Sequence, residues 1–175
     1  MRVMGFAGWS GSGKTTLIER VVRVLTGRGL NASLIKHAHH DFDVDHEGKD
    51  SWRHRQAGCK EVLVSSSNRW VLMHELGPAE EELSLDALLA KLAPCDVVLV
   101  EGFKRSPIPK IEIYRESASE ALLFPDDPWI VAVATDVVAL DTAGRPRLDI
   151  NDPDEVADFI IEHCRGRQAA ASRVE

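Results

Sequence analysis

The feature that most constrains this chain is a glycine-rich stretch near its start. Residues 8–17 read GWSGSGKTTL, with the spacing Gly8-x-x-x-x-Gly13-Lys14-Thr15, and the apolar run VMGFA precedes them. Glycines in such a loop let backbone N–H groups turn inward around phosphate oxygens, where a Cβ would block the approach. The spacing therefore predicts a strand, a phosphate-binding loop and a helix in direct succession.

Two side chains at the end of this loop match the needs of a nucleotide. Lys14 would reach the β and γ phosphates, and the hydroxyl of Thr15 would bind Mg²⁺. The amphipathic helix that follows points the positive end of its dipole at the anion. We therefore expect a nucleotide–Mg²⁺ site here rather than an ordinary Gly/Ser turn.

The rest of the chain alternates short apolar runs with helical patterns. This order is typical of an α/β protein with a mostly parallel central sheet flanked by helices. The 175 residues suit one domain, which we expect to span residues 1–165, followed by a flexible tail at 166–175. The segment KIEIYR at 110–115 alternates strictly. We therefore predict that one of its faces is exposed, or that it lies in a secondary sheet.

The composition argues against several classes of protein. A net charge of −7 is unfavourable for a general nucleic-acid binder. No stretch approaches the roughly 20 apolar residues that cross a bilayer, and the start of the chain does not read as a signal peptide. The three cysteines are widely and irregularly spaced and suit a reducing compartment. We expect a cytoplasmic protein without nucleic-acid or membrane partners.

A phosphate-binding loop also needs an acid at the end of a neighbouring buried strand, to hold Mg²⁺ directly or through water. Glu101 ends the apolar run VVLVEG, and Asp141 begins the sequence DTAG, which superficially matches a GTPase switch. The first run follows a helix and is uniformly apolar, as a central parallel strand should be. The second comes just after another strand and reads as a surface turn. We therefore favour Glu101 as the acid.

The stretch IKHAHHDFDVDHEGKDSWRHR, residues 35–55, is unusually rich in histidine and carboxylates. It follows a predicted strand, where α/β proteins place their ligand-binding loops. One hypothesis is a transition-metal site at His37, His39 and His40. A second, which we favour, is a loop that faces phosphate and Mg²⁺. Its candidates are Lys36 or Lys49 for the anion and Asp45 or Asp50 for the cation. An ordinary charged surface loop is the third alternative.

Base recognition has only a weak signal in this sequence. The Asn-Lys-x-Asp signature by which many GTPases read guanine is absent. Asp136 follows a predicted strand late in the chain, where such a reader would lie. We therefore name Asp136 as the candidate acceptor for guanine N1 and N2.

Six segments together resemble one family, the MobB molybdopterin-guanine dinucleotide biosynthesis adapter proteins. The segments are GWSGSGKTTLIE, LIKHAHHDFDVDHEGKDSWRHRQAG, RWVLMHEL, LVEGFKRSPIPKIEIYR, VAVATD and DINDPDEVADFI. The resemblance runs from about Val3 to Cys164. The phosphate-binding loop is shared by a very large superfamily, whereas the His-Asp stretch and VEGFK are far more specific.

The resemblance implies a homodimeric P-loop protein that binds GTP and Mg²⁺ and has at most weak GTPase activity. In this family the region after the second strand contributes to a sheet that extends across the subunits. The implied partner is the guanylyltransferase MobA, which joins GMP to molybdopterin to make the guanine dinucleotide.

The resemblance also implies roles for residues at matching positions. The phosphate cradle would consist of Gly11, Ser12, Gly13, Lys14, Thr15 and Thr16. Glu101 would be the acid near Mg²⁺. The segments 36–40 and 48–51 would line the same cleft, with no individual roles assigned.

Two other functions fit a phosphate-binding loop. A small phosphotransferase would move a γ-phosphate to a metabolite, and such kinases close an arginine-bearing lid over the donor. Arg53, Arg55 and Arg69 offer arginines, but no pair of lid helices is visible. A free-standing GTPase switch is disfavoured by the missing base-reading motif.

Overall fold

A computed structural model describes residues 2–38, 42–118 and 121–171 of the chain. The strands and helices, in chain order, are β1 (Arg2–Ala7), α1 (Lys14–Gly27), β2 (Ala32–Lys36), α2 (Asp50–Gln56), β3 (Glu61–Ser65), β4 (Trp70–His74), α3 (Leu85–Leu89), β5 (Val97–Glu101), β6 (Lys110–Tyr114), β7 (Ile130–Thr135), β8 (Arg147–Asp149) and α4 (Pro153–Ala171). A short 3₁₀ turn covers Glu116–Ala118. The chain forms two compact units, one of residues 1–37 with 85–175 and one of residues 38–84.

The first unit is built on a six-stranded sheet with the order β2-β5-β1-β6-β7-β8, in which every neighbouring pair is parallel. β1 and β5 are buried along most or all of their length, which is why both read as apolar runs. α1 packs into the core through Leu17, Ile18, Val21 and Leu25. The predicted α/β fold with a mostly parallel sheet is confirmed.

The last helix begins as its sequence indicates. A carboxylate oxygen of Asp152 accepts hydrogen bonds from the backbone N–H groups of Asp154 and Glu155, at 3.0 and 3.1 Å. Pro153 is the first helical residue. The Glu155 carboxylate accepts from the N–H of Asp149 rather than from Asp152. The cap thus joins α4 to the short edge strand β8, which the sequence patterns do not predict.

β6 corrects one prediction. The alternating segment KIEIY predicts an exposed face or a secondary sheet, but β6 lies inside the main sheet between β1 and β7. Lys110 and Glu112 are each only 1% exposed. Both charges are bound from within the protein: Lys110 by Asp127 at 2.8 Å, and Glu112 by two backbone N–H groups. In β6, the alternation of charged and apolar residues therefore does not indicate an exposed face.

The second unit contains α2 and the antiparallel hairpin of β3 and β4. Arg55 on α2 forms ion pairs with Asp43 at 2.6 Å, Asp45 at 3.4 Å and Glu75 at 2.7 Å. The hydrogen bonds from Arg55 hold the pKa of Asp43 below its usual value. Arg55 thus connects the beginning, middle and end of this unit.

The single domain at residues 1–165 and the flexible tail at 166–175 stay predictions. α4 continues to Ala171, and residues 172–175 lie outside the described part of the chain. Within the described residues, no helix is long and apolar enough to span a membrane.

Candidate functional site

The glycine-rich loop joins the carboxyl end of β1 to the first turn of α1. Gly8 has a φ of +146°, and a Cβ at this position would lie 2.6 Å from the carbonyl oxygen of Ile113. Gly13 caps α1 in the left-handed region, with a φ of +90°. Gly8 and Gly13 both have backbone conformations that residues with side chains rarely adopt. With glycine at these positions, no Cβ blocks the approach of a ligand to the backbone of the loop. This is the shape that a phosphate cradle requires.

Lys14 lies across this loop. Its ammonium group donates to the carbonyl oxygens of Gly8 at 2.9 Å and Trp9 at 2.6 Å. Burial lowers the pKa of Lys14, the positive charges of Lys104 and Lys36 lower it further, and Glu101 opposes them. The ammonium is held by neutral carbonyls rather than by a carboxylate, so its positive charge is available to an anion.

Glu101 lies beside the loop because of the order of the strands. β5 is a direct neighbour of β1, and Glu101 is in register with Phe6. The hydroxyl of Thr15 donates to Glu101 Oε1 at 3.0 Å, and the ammonium of Lys36 lies 3.6 Å from Oε2. The predicted neighbourhood of Glu101, Thr15 and Lys36 is therefore present.

The oxygens of Thr15 and Glu101 fit a magnesium ion. Two adjacent ligands of octahedral Mg²⁺, each bound at about 2.0–2.1 Å, are roughly 2.9 Å apart. The hydrogen bond between the two oxygens already holds them 3.0 Å apart, close to that spacing. A hydroxyl and a carboxylate are also the oxygen donors that Mg²⁺ prefers in nucleotide sites. The pair can hold the ion directly or through bound water.

Asp141 has a different environment. It is exposed in the turn between β7 and β8, and its carboxylate accepts from the N–H of Ala143 at 2.9 Å. Ala143 has a φ of +50°, which belongs to a tight turn. β8 is the edge strand, three positions from β1 in the sheet. The GTPase-like sequence is thus a surface turn remote from the loop in strand order.

Asp136 follows β7 and forms an ion pair with Arg115, which follows β6. The distance from Arg115 Nη1 to Asp136 Oδ2 is 2.8 Å, and Nη2 lies 3.4 Å from the side-chain oxygen of Asn151. A Cβ on Gly13 would lie 3.3 Å from Arg115 Nε. Arg115 therefore stands between the loop and the candidate base reader.

Arg115 was not among the residues predicted from the sequence. Its position directly after a strand was a usable signal, because ligands bind at the carboxyl ends of parallel strands. The alternation of KIEIYR hides this signal, because it predicts an exposed face or a secondary sheet for β6 instead of a buried place in the main sheet.

The histidine-rich stretch is only partly described. His37 packs against Phe103, with ring centroids 4.8 Å apart, whereas His39 and His40 lie outside the described residues. In the part of the chain that is described, no group of three His, Cys, Asp or Glu side chains could hold a metal ion. The metal hypothesis for the three histidines remains a prediction.

The acidic candidates of this stretch belong to the second unit. Asp45 accepts from the hydroxyl of Ser51 at 2.8 Å and pairs with Arg55. Asp50 is the exposed first residue of α2, which Lys49 precedes as the cap. Asp45 thus has structural partners of its own, and the proposed role of Asp50 rests on the sequence alone.

Comparison with known proteins identifies the family. The model of MobB, described as molybdopterin guanine dinucleotide synthesis protein B, matches residues 3–136. The chain belongs to the MobB family. It is 46% identical over 166 residues to the molybdopterin-guanine dinucleotide biosynthesis adapter protein of Escherichia coli K12, covering 91% of each chain. It is 43% identical over 171 residues to the Haemophilus influenzae protein of that name, covering 94% of this chain and 92% of that one.

Solved structures of MobB proteins share the fold. The crystal structure of Bacillus subtilis MobB superposes with a TM-score of 0.73 at 26% identity, covering 94% of this chain and 98% of that one. A MobB homologue from Bacillus stearothermophilus gives a TM-score of 0.69 at 24% identity, covering 95% and 99%. The family resemblance seen in the sequence is confirmed.

Proposed function

We propose that this MobB protein is a GTP-binding adapter in the synthesis of molybdopterin guanine dinucleotide, which assists the guanylyltransferase MobA. The pathway follows from the family and from the names of the two close bacterial relatives. The contact between Thr15 and Glu101, beside a loop with glycine at its strained positions, supports a site for phosphate and Mg²⁺, and the family resemblance supports guanine as the base. That contact is the observation that carries the proposal.

The residues of the site have distinct roles in this proposal. The backbone from Gly11 to Thr16, with the dipole of α1, binds the phosphates, and Lys14 supplies the charge. Thr15 and Glu101 hold Mg²⁺, which neutralises phosphate charge when bound. Lys36 stays near the anion through its ion pair with Glu101. The role of Asp50 as a nucleotide contact stays a prediction from the sequence.

The base is assigned to the opposite side of the loop, toward β6 and β7. Asp136 is one-third exposed, and its Oδ2 is bound by Arg115. Because Arg115 binds Oδ2, we assign Oδ1 to a guanine N–H. Arg115 binds the Asp136 carboxylate and itself lies beside Gly13.

A homodimer is the second part of the proposal. Among the described strands, β3 and β4 pair only with each other. The hairpin exposes five large apolar side chains, namely Leu63, Val64, Trp70, Val71 and Leu72. An apolar two-stranded sheet with open edges favours pairing with further strands. This agrees with the sheet across subunits that the family resemblance implies.

A phosphotransferase finds no comparable support. Arg55, one of three arginines considered for a lid, is bound by three carboxylates within its own unit. No described pair of helices in residues 42–84 forms a lid, since α2 is the only helix there. We also propose at most weak GTP hydrolysis, on the family resemblance, and a location in the cytoplasm, on the sequence.

Calorimetry of nucleotide binding tests the proposal. We expect GTP to bind with Mg²⁺ and ATP to bind more weakly, and Lys14→Ala to lose about 1.5–3 kcal/mol or more of GTP binding free energy. Lys91→Ala is the matched control, because Lys91 is exposed on the turn after α3. Both variants should unfold like the wild-type protein.

Two results would contradict the proposal. Unchanged GTP affinity in folded Lys14→Ala would remove the phosphate cradle from the loop. Equal competition by ATP and GTP would remove the guanine preference and, with it, the role of Asp136.

A further inference from the structure

A second lysine, Lys104, lies at the phosphate-binding loop. Its ammonium group stands 4.7 Å from the centroid of the Trp9 ring. Trp9 is the second residue of the loop, and its indole N–H donates to the carbonyl oxygen of Ala121 at 2.6 Å. Lys104 therefore stands over a ring whose own position is fixed. Lys104 is not among the residues of the proposed phosphate and Mg²⁺ site.

The segment that carries Lys104 has a constrained backbone. Gly102 has a φ of +94°, and a Cβ there would lie 2.7 Å from the Cβ of His37. Phe103 has a φ of +49°, which is uncommon for a residue with a side chain, and its ring packs on His37. Strained backbone of this kind persists where the surroundings hold it, and it is concentrated at ligand sites.

The other side of the segment is held by a buried charge. The ammonium of Lys110, which is 1% exposed, donates to the carbonyl oxygens of Lys104 and Ser106, each at 2.9 Å. Asp127 completes its partners at 2.8 Å. The backbone of Lys104 is thus held by Lys110, while its side chain extends to Trp9 in the phosphate-binding loop.

The charges around Lys14 are unbalanced. The positive charges of Lys104 and Lys36 lower the pKa of Lys14, and the negative charge of Glu101 raises it. Lys36 forms an ion pair with Glu101, whereas Lys14 is bound by carbonyl oxygens and Lys104 lies over the Trp9 ring. Like charges brought this close are stabilised by a multiply charged anion, such as a chain of phosphates.

We propose that Lys104 is a further phosphate-binding residue, which contacts the terminal phosphates of the bound nucleotide. The inference rests on the proposed function, since it concerns the same site. In the protein alone, Lys104 is held by a cation–π contact, which is weaker than a charge-assisted hydrogen bond to phosphate. Lys104 exchanges the Trp9 ring for phosphate oxygens when the nucleotide binds.

Calorimetry with GTP, GDP and GMP tests this role. Lys104→Met keeps the aliphatic stem over Trp9 and removes the charge, so we expect GTP affinity to fall about tenfold or more. The loss should be smaller for GDP and within about twofold for GMP, which lacks the terminal phosphates. Lys104→Arg, which keeps the charge, should retain most of the GTP affinity. Lys91→Met is the control, because it makes the same substitution at an exposed lysine.

Each result separates the inference from the proposed function. An equal loss for all three nucleotides would overturn the inference, because Lys104 would then act only on the shape of the loop. Unchanged GTP affinity would overturn it as well, and the proposed function would survive. Wild-type protein that binds none of the three nucleotides would overturn the proposed function and the inference with it.

Discussion

β5 and β6 flank β1 on its two sides, and both are buried, yet their sequences are opposite in character. β5 reads VVLVE and is apolar until its last residue, whereas β6 reads KIEIY and alternates charged with apolar side chains. Both strands are parallel to β1 and occupy central positions in the sheet. The comparison shows that one buried environment accepts either composition, provided that each charge has its partners.

The partners distinguish what the buried charges do. Lys110 binds two carbonyl oxygens and Asp127, and Glu112 binds the N–H groups of Leu123 and Phe124. These contacts hold the loops that leave β5 and β6. Glu101 instead contacts Thr15 and Lys36, which are side chains at the phosphate loop. The charges of β6 hold these loops, whereas the charge of β5 faces residues of the proposed nucleotide site.

The largest effect should come from breaking the charge pair of β6. Lys110→Met removes the positive charge that faces Asp127 Oδ2 and the ammonium donor of two carbonyl oxygens, while Asp127 Oδ1 keeps the N–H of Trp129. Removing one partner of a buried ion pair costs about 3–5 kcal/mol of unfolding free energy. Because Asp127 is partly exposed, we expect a loss of about 3 kcal/mol. Urea unfolding measures this loss.

Lys91→Met is again the matched control and should change the unfolding free energy by less than about 0.5 kcal/mol. If Lys110→Met were equally mild, the buried ammonium would have no structural role. β6 would then be interchangeable with an apolar strand.

A change at β5 should affect binding rather than stability. Glu101→Gln keeps the size of the side chain and removes the charge that faces Thr15. We expect the affinity for GTP in the presence of Mg²⁺ to fall about 10-fold to 100-fold, and binding without the metal to be nearly unchanged. Calorimetry with Mg²⁺ and with a chelator separates the two.

Asp141→Asn is the companion variant, since Asp141 is the rival acid. Its exposed turn predicts no loss of the Mg²⁺ effect. If Asp141→Asn lost that effect and Glu101→Gln kept it, the metal site would lie elsewhere and the functional role of the β5 charge would be wrong.

The sequence predicts the parts of this fold that depend on local spacing. The motif from Gly8 to Thr15 carries its own strand, loop and helix, and an unbroken apolar run places β5 inside the sheet. Glu101 could be chosen over Asp141 because a central strand and a surface turn have different flanking residues. The glycine conformations confirm the loop in detail.

The failures share a physical cause, which is that the deciding partners are remote in sequence. The charges of β6 are buried because Asp127 and residues 123–124 reach them, and no pattern within residues 110–115 reveals those contacts. Arg115 was missed for the same reason. β8 has three residues and gains its place from pairing with β7 and from the α4 cap.

The smallest effect concerns the pH dependence that Glu112 gives to stability. Burial raises the pKa of Glu112, although two backbone N–H groups and Arg145 act against it. A carboxyl whose pKa is higher in the folded protein contributes stability below its unfolded pKa and loses it as the pH rises through the folded value. We therefore expect wild-type stability, relative to Glu112→Gln, to fall as the pH rises from about 4 toward neutrality.

Urea unfolding of both proteins across this range measures the difference. The glutamine does not titrate, and other shifted carboxyls such as Asp43 and Glu80 are common to both proteins, so their contributions cancel. Glutamine accepts only one of the two N–H bonds well, so the variant is less stable overall. The test is therefore how the difference in unfolding free energy changes with pH, and not its size at any one pH. A relative stability that rises with pH would mean that the N–H groups outweigh burial, and that the carboxylate of β6 is as well accommodated as the apolar side chains of β5.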